Sequence, residues 1–391
     1  MPVNPLKNAV YQLLLPWQAP SPKGQMRHLL SDPAPVRLAD YEALLCRHHV
    51  LGASLLLRDG EETRTALTST MQKPVHTAEA DTLFRVASIT KMATALVVMT
   101  LVEEGAFSLD TPVSRLLPFA EPEALRGVTV AQVLSHTSGL RDIPAGETAL
   151  KENWPLDRLL GEAGIRRSGP GEEFAYCNLN FGLLGCVLEY LTNQPVPEVF
   201  AERLLKPLGL RGGLDAARLE KERIMPISRV LPYHEGQDTV IPAAGAEALE
   251  SADPLHHYHH TAGSLYTNAA SLSRLLGLIA GHGTVDGVTL LQPETVRQMV
   301  RAHGHYGKAD PRLHYGLGLL IVEDRELSKH RLIGHQGYAY GCADGAFYEE
   351  GTGRQVVFLN GGCSEARTGR LGQVNRDVLR FALQEEMPAW K

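Results

Sequence analysis

The sequence predicts an α+β protein: an antiparallel sheet flanked by helices, with a mainly helical domain inserted between its early and late strands. Three observations carry this. Two strand patterns, Val50 to Leu57 and Thr63 to Thr70, are joined by the hairpin turn Arg58-Asp59-Gly60-Glu61. After residue 110 the chain changes to short helices and loops. From Gly316 it returns to short apolar runs broken by Gly-rich turns such as Gly351-Thr352-Gly353. The expected division is 36–110 plus 255–391 for the α/β domain, 111–254 for the helical insert and 1–35 for an N-terminal extension.

The elements follow in order. Residues 1 to about 36 are Pro-rich and of low regularity, and read as an extension that wraps the domain or is partly mobile. From Val36 to His49, Leu38, Tyr41, Leu44 and Leu45 recur at helical spacing. Thr82 to Val86 reads as a strand. Strong helix formers then fill Met92 to Glu104, and Gly105 sits where a left-handed cap belongs. Short helices are expected over Val113 to Leu117 and from Thr129, an N-cap candidate, to Leu134. Phe181, Leu184, Val187, Leu188 and Leu191 make a helical stripe over Asn178 to Thr192, and Val199 to Leu205 continues in helical style. Residues 211–260, with Pro226, Pro232 and Pro242, read as loop. Helices over Ser271 to Ile279 and Pro293 to Arg301 lead to strands at Gly316 to Val322, Leu332 to His335, Gly345 to Tyr348 and Gln355 to Asn360. A helix over Arg370 to Glu385 closes the chain.

Composition narrows the function. The 391 residues are 44% hydrophobic and 21% charged, as in globular proteins, with a net charge of -6 and a pI near 6.2. That balance makes no electrostatic case for nucleic acid or an anionic membrane as partner. No apolar run reaches membrane-spanning length, and the first twenty residues lack the charged start, long apolar core and cleavage site of a signal peptide. The expected location is therefore the cytoplasm. Five cysteines (Cys46, Cys177, Cys186, Cys342, Cys363) without a CxxC spacing fit reduced, buried thiols rather than a disulfide framework or a zinc site.

The chemistry centres on Ser88 and Lys91. Three residues apart on a helix, their side chains share one face, a nucleophile beside a base. Ser88 falls in the first turn, where free backbone N–H groups can face developing negative charge. The apolar run that follows implies a partly desolvated lysine, and desolvation lowers its pKa towards the range of a proton acceptor. Two further stretches can complete a site. Tyr176-Cys177-Asn178 offers a phenol that can share a proton with a lysine and an amide that can bind a substrate carbonyl. His335-Gln336-Gly337 ends a strand, where Gly337 lets a substrate backbone approach.

In this order these stretches resemble the serine penicillin-recognising family: class C β-lactamases, DD-peptidases, D-aminopeptidases and related esterases. Phe84 to Lys91 is similar to its nucleophile segment, Val133 to Leu140 to its His-Thr-Ser-Gly-Leu stretch and Phe174 to Leu184 to its Tyr-x-Asn element. Lys206 to Leu210 is similar to its Pro-Leu-Gly segment, and Tyr258 to Leu275 to a Gly-containing turn entering a helix. The resemblance spans about Val36 to Leu383 and implies a β-lactamase/transpeptidase-like fold. It implies Ser88 as acylating nucleophile, Lys91 as its proton acceptor and Tyr176 as relay to the leaving group. Asn178 would orient the substrate, with the N–H groups of Ser88 and Tyr338 as oxyanion hole, and no metal or cofactor is implied.

Departures from the family pattern steer the substrate. His335 stands where the nearest β-lactamases carry lysine, and Gln336 replaces a hydroxyl residue, which removes a contact to a carboxylate. The resemblance therefore implies a metal-independent serine hydrolase acting on a small peptide or D-amino-acid amide. The alternative is a carboxylesterase or acyltransferase with weak β-lactamase activity. A reading of another class is a penicillin-binding receptor without turnover. Cys177 is expected to pack and His136 to be structural. The His256–His260 cluster reads as a solvated or substrate-facing loop rather than a metal site, and the arginines within 365–370 as a solvated turn.

Overall fold

A computed structural model describes residues 5–19, 21–32, 34, 37–71, 75–230, 248–339 and 341–383. Its centre is a nine-stranded antiparallel sheet. In spatial order the strands are Met26–Leu30, Glu62–Thr70, Ala53–Asp59, Gln355–Asn360, Cys342–Glu349, Leu332–Ala339, Leu320–Val322, Leu313–Tyr315 and Gly304–His305. The early hairpin turns at Gly60, at a φ of 58°, and joins the late strands through the pairing of Ala53–Asp59 with Gln355–Asn360.

Both faces of the sheet are covered, which explains the unbroken apolar runs in its central strands. Leu56, Val357 and Leu359 point into one core with the helices Thr90–Glu103, Asn178–Thr192 and Ala269–Ala280. Their neighbours Leu55, Leu57, Val356 and Phe358 point into the other, with the helices Leu38–Arg47 and Gln373–Leu383. The helix Thr90–Glu103 is buried on every side from Thr90 to Leu101. An apolar helix of this kind is a core element, and Gly105 ends it at a φ of 76°. Thr129 caps Val130–Leu134 in a reciprocal arrangement with Gln132.

The structure corrects several expectations. The N-terminal extension is regular: a helix covers Pro5–Gln18, and Met26–Leu30 is an edge strand in register with Glu62–Thr70, Met26 facing Thr70. Its prolines misled because Pro5 opens the helix, where a missing N–H costs nothing, and Pro16 lies in the last turn. The 82–86 strand shrinks to Phe84–Arg85, which pairs with Tyr266–Thr267. Val113–Leu116 is a 3-10 turn, and Val196–Phe200 runs into a wider π-helical turn, Ala201–Leu205. Strand character after Gly316 begins at Leu320. His335-Gln336-Gly337 does not end its strand, which continues to Ala339. The strands Gly304–His305 and Leu313–Tyr315 and the helices Pro144–Lys151 and Leu156–Leu160 were not anticipated. Residues 231–247, with Pro232 and Pro242, and the predicted helix end at Gln384 and Glu385 lie outside the described residues. Among the described residues no helix is long and apolar enough to cross a membrane.

Candidate active site

Ser88 stands in a 3-10 turn, Ala87–Ile89, between the short Phe84–Arg85 strand and the buried helix. Ala87 adopts a φ of 43°, a left-handed conformation unusual for a residue with a Cβ. Neighbours hold that bend. Thr90 Oγ1 donates to the Ala87 carbonyl at 2.6 Å and accepts the Leu265 N–H at 3.0 Å, while the Val86 N–H donates to the Leu265 carbonyl at 2.9 Å. Ser88 is left half-buried at the head of the helix.

Lys91 is fully buried one turn on, and its Nζ reaches Ser88 Oγ at 3.1 Å, Asn178 Oδ1 at 2.9 Å and the Ala262 carbonyl at 2.7 Å. Burial lowers its pKa to about 7, against the opposing pull of Asp142 and Cys177. A neutral amine has two hydrogens and one lone pair. With Asn178 Oδ1 and the Ala262 carbonyl taking the two hydrogens, the lone pair faces Ser88.

Tyr176 lies beside the nucleophile, its ring centroid 5.1 Å from Lys91 Nζ. Burial pushes its phenol well above the usual value, and the neighbouring Tyr306 adds to this; a hydrogen bond with Ser88 works in the opposite direction. The phenol thus keeps its proton at neutral pH and serves as a donor. Behind it His136 packs ring to ring at 4.3 Å, itself at a φ of 58°. His136 Nδ1 accepts from the Cys177 N–H at 3.3 Å and faces the Asn180 amide at 3.1 Å. Burial, reinforced by Lys91, keeps that ring neutral.

The residue that sequence reasoning missed is Asp142. Its carboxylate accepts the Asn178 backbone N–H at 2.9 Å, the Asn178 side-chain amide at 3.0 Å, the Leu179 N–H at 3.3 Å and the Cys177 thiol at 3.3 Å. It caps the helix Asn178–Thr192, where a negative charge meets the positive end of the helix dipole. Its one sequence signal was its place two residues past Leu140, at the end of the His-Thr-Ser-Gly-Leu stretch.

The 332–339 strand departs from expectation. His335 is 2% exposed. Its Nε2 lies 2.9 Å from the Tyr315 hydroxyl and its Nδ1 2.6 Å from the Gln336 carbonyl, so Nδ1 donates and Nε2 accepts. Burial and then the Lys91 charge hold it down to about 3, so it is neutral, and its ring centroid lies 6.3 Å from that of Tyr176. Gly337 also serves packing: a Cβ there would sit 2.3 Å from the Val86 carbonyl, two residues before Ser88. The close approach it permits is that of the nucleophile segment. Gln336 donates to the Arg370 carbonyl at 2.7 Å and accepts the Gly372 N–H at 2.9 Å.

Tyr338 is half-buried. Its hydroxyl donates to the Glu365 carbonyl, and the Arg367 guanidinium stacks 3.5 Å above its ring. That arginine is thus part of the site's rim and not a solvated turn. The histidine cluster is likewise no loop. It forms the turns His257–His259 and His260–Gly263, with His256 on Asp253, His257 on Glu189 and His260 buried, and its end supplies the Ala262 carbonyl to Lys91. Among the described residues no three His, Cys, Asp or Glu side chains form a metal-binding group.

Comparison with known proteins agrees with this architecture. A family model described as Beta-lactamase matches residues 37–361. Penicillin-binding protein 4 of Amycolatopsis lactamdurans is 32% identical over 179 residues, covering 44% of this chain and 46% of that protein. Esterase EstB of Burkholderia gladioli is 36% identical over 180 residues, 40% of this chain and 43% of the esterase. The chain thus spans about half the length of these two curated relatives. The crystal structure of D-amino acid amidase from Ochrobactrum anthropi SV3 complexed with L-phenylalanine amide superposes with a TM-score of 0.69 at 22% identity, over 88% of this chain and 94% of that one. At that identity it speaks for the fold.

Proposed function

The chain belongs to the β-lactamase family, and on that premise we propose that it is a serine hydrolase that opens an amide bond through an acyl-Ser88 intermediate, acting on a small peptide or D-amino-acid amide. The observation that carries the reading is the 3.1 Å contact between Ser88 Oγ and a buried Lys91 whose pKa falls to about 7. A base poised near the operating pH is what general-base catalysis needs.

In this mechanism neutral Lys91 takes the Ser88 proton as Oγ attacks the substrate carbonyl carbon. The N–H groups of Ser88 and Tyr338 stabilise the oxyanion, each donor supplying on the order of 3 kcal/mol. As the tetrahedral intermediate collapses, Tyr176 gives its proton to the leaving amine and recovers one from the Lys91 ammonium. Asn178, steadied by Asp142, orients both the lysine and the substrate. Water then attacks the acyl-enzyme carbonyl, Lys91 takes its proton, and as the acyl–Ser88 bond breaks Lys91 returns that proton to Ser88 Oγ, releasing the acid.

The strand residues shape the substrate. His335 is neutral and enclosed, and Gln336 is tied at both ends, so neither offers a charge or a free hydroxyl to a terminal carboxylate. That favours amides and esters over penicillins. A carboxylesterase is the second reading, supported by the 36% identity to Esterase EstB.

Incubating the protein with a D-amino-acid amide, a D-alanyl peptide, a p-nitrophenyl ester and nitrocefin, with intact mass taken alongside, tests the proposal. Amide turnover that disappears in Ser88→Ala supports it. Turnover confined to the ester establishes the second reading, a stable adduct without turnover indicates a receptor, and turnover that survives Ser88→Ala removes the mechanism.

A further inference from the structure

The helix Pro5–Gln18 has two opposite faces. Asn8, Tyr11, Gln12 and Leu15, at spacings of three and four, face the body of the protein. Asn8 bonds the Arg367 backbone at both its N–H and its carbonyl, each at 3.1 Å, and the Tyr11 hydroxyl accepts the Glu365 N–H at 2.8 Å. Gln12 reaches Gln373 at 3.2 Å, and Leu15 is buried against Leu51 and Val230.

The other face is apolar and open. Leu6, Val10, Leu13 and Trp17 recur at spacings of four, three and four and form one stripe roughly 16 Å long. They are 73%, 47%, 70% and 87% exposed, with Leu14 beside them. Single exposed apolar side chains are ordinary; a continuous stripe along a helix marks a docking surface.

Charge identifies what docks. The whole chain is acidic, at -6, yet residues 1–31 contain Lys7, Lys23 and Arg27 and no aspartate or glutamate. Lys23 and Arg27 are exposed just beyond the helix. The overall balance that argued against an anionic membrane therefore hides a reversal of sign along the first 31 residues. The stripe is also a convex ridge with Trp17 near its end. A lipid headgroup layer can receive such a ridge without a matching groove, and tryptophan favours that interface.

We propose that Pro5–Gln18 is an interfacial helix that lies in the headgroup layer of an anionic bilayer. Leu6, Val10, Leu13 and Trp17 insert, and Lys23 and Arg27 meet the lipid phosphates. The inner face of the same helix grips the backbone of Arg367, whose side chain covers Tyr338.

Flotation of the whole protein with vesicles tests this directly, and no turnover is needed to read it. Vesicles of phosphatidylcholine mixed with phosphatidylglycerol are expected to carry the protein upward, with binding about tenfold tighter than to phosphatidylcholine alone and weakened by salt. The Leu13→Glu, Trp17→Glu double variant should stay at the bottom while unfolding at the wild-type temperature and hydrolysing a soluble ester at the wild-type rate. Failure of the wild type to float, or equal flotation of the double variant, overturns the proposal. So does a wild-type dimer that the double variant converts to monomer without vesicle binding, since a second copy of the chain would then cover the stripe.

Discussion

Asp142 holds Asn178 twice, by its backbone N–H at 2.9 Å and by its side-chain amide at 3.0 Å, and Asn178 in turn holds Lys91 at 2.9 Å. Asp142→Asn removes a charge-assisted contact worth about 1.5–3 kcal/mol. The expected loss in kcat is therefore on the order of 10- to 100-fold. Asp142 also raises the Lys91 pKa against the burial that lowers it. The variant should thus move the acid limb of the pH–rate profile to lower pH, a displacement that mere loosening of the fold would not produce.

The wild-type profile has a sign of its own. Lys91 acts as a base in its neutral form, and its pKa lies at about 7. On a p-nitrophenyl ester, kcat/KM should fall about tenfold per pH unit below that value and level off above it. Burial holds the Tyr176 phenol well above its ordinary range, so this group should produce no alkaline decline up to about pH 10. A profile that rises as the pH drops from 7 to 5 would contradict Lys91 as the base.

The legible parts of the site were the local ones. Ser88 and Lys91 share a helical turn, so their meeting follows from spacing, and Tyr176 and Asn178 flank one residue at a helix start. Asp142 was illegible because the helix it caps begins 36 residues later. The enclosure of His335 was illegible because its partner Tyr315 lies on a strand too short to show a pattern. The N-terminal helix was hidden by prolines tolerated at its first residue and in its last turn. The main sheet was readable because its central strands are apolar on both faces. The last two strands at one end, Leu313–Tyr315 and Gly304–His305, three and two residues long, were not.

Gly337→Ala probes how the strand fixes the nucleophile. A methyl there would lie 2.3 Å from the Val86 carbonyl, and backbone cannot swing aside as a side chain can. The overpacking should cost about 1–3 kcal/mol. Because the displaced atoms lead directly into Ala87 and Ser88, kcat should fall along with the melting temperature. Calorimetry together with ester hydrolysis checks both, and full activity in a destabilised variant would separate the strand from the nucleophile.

Acid stability should report the buried histidines. His335 is held at about 3 by burial and then by the Lys91 charge, whereas an unfolded histidine titrates near 6.5. Between those values the unfolded chain binds a proton that the folded chain refuses. The stabilisation is complete above about pH 6.5 and is lost progressively as the pH falls towards 3, by ~1.4 kcal/mol per pH unit for this group. His260, at about 2 through burial, and His136, pushed well below its ordinary value, act with the same sign. Urea unfolding at several pH values between 4 and 6 should therefore show steep acid destabilisation. His335→Gln keeps an acceptor for Tyr315 but cannot titrate, so its slope should be shallower by ~1.4 kcal/mol per unit whatever its stability at neutral pH. An unchanged slope would mean that His335 takes up its proton in the folded state, and with it a charge that the 332–339 strand could present to a carboxylate.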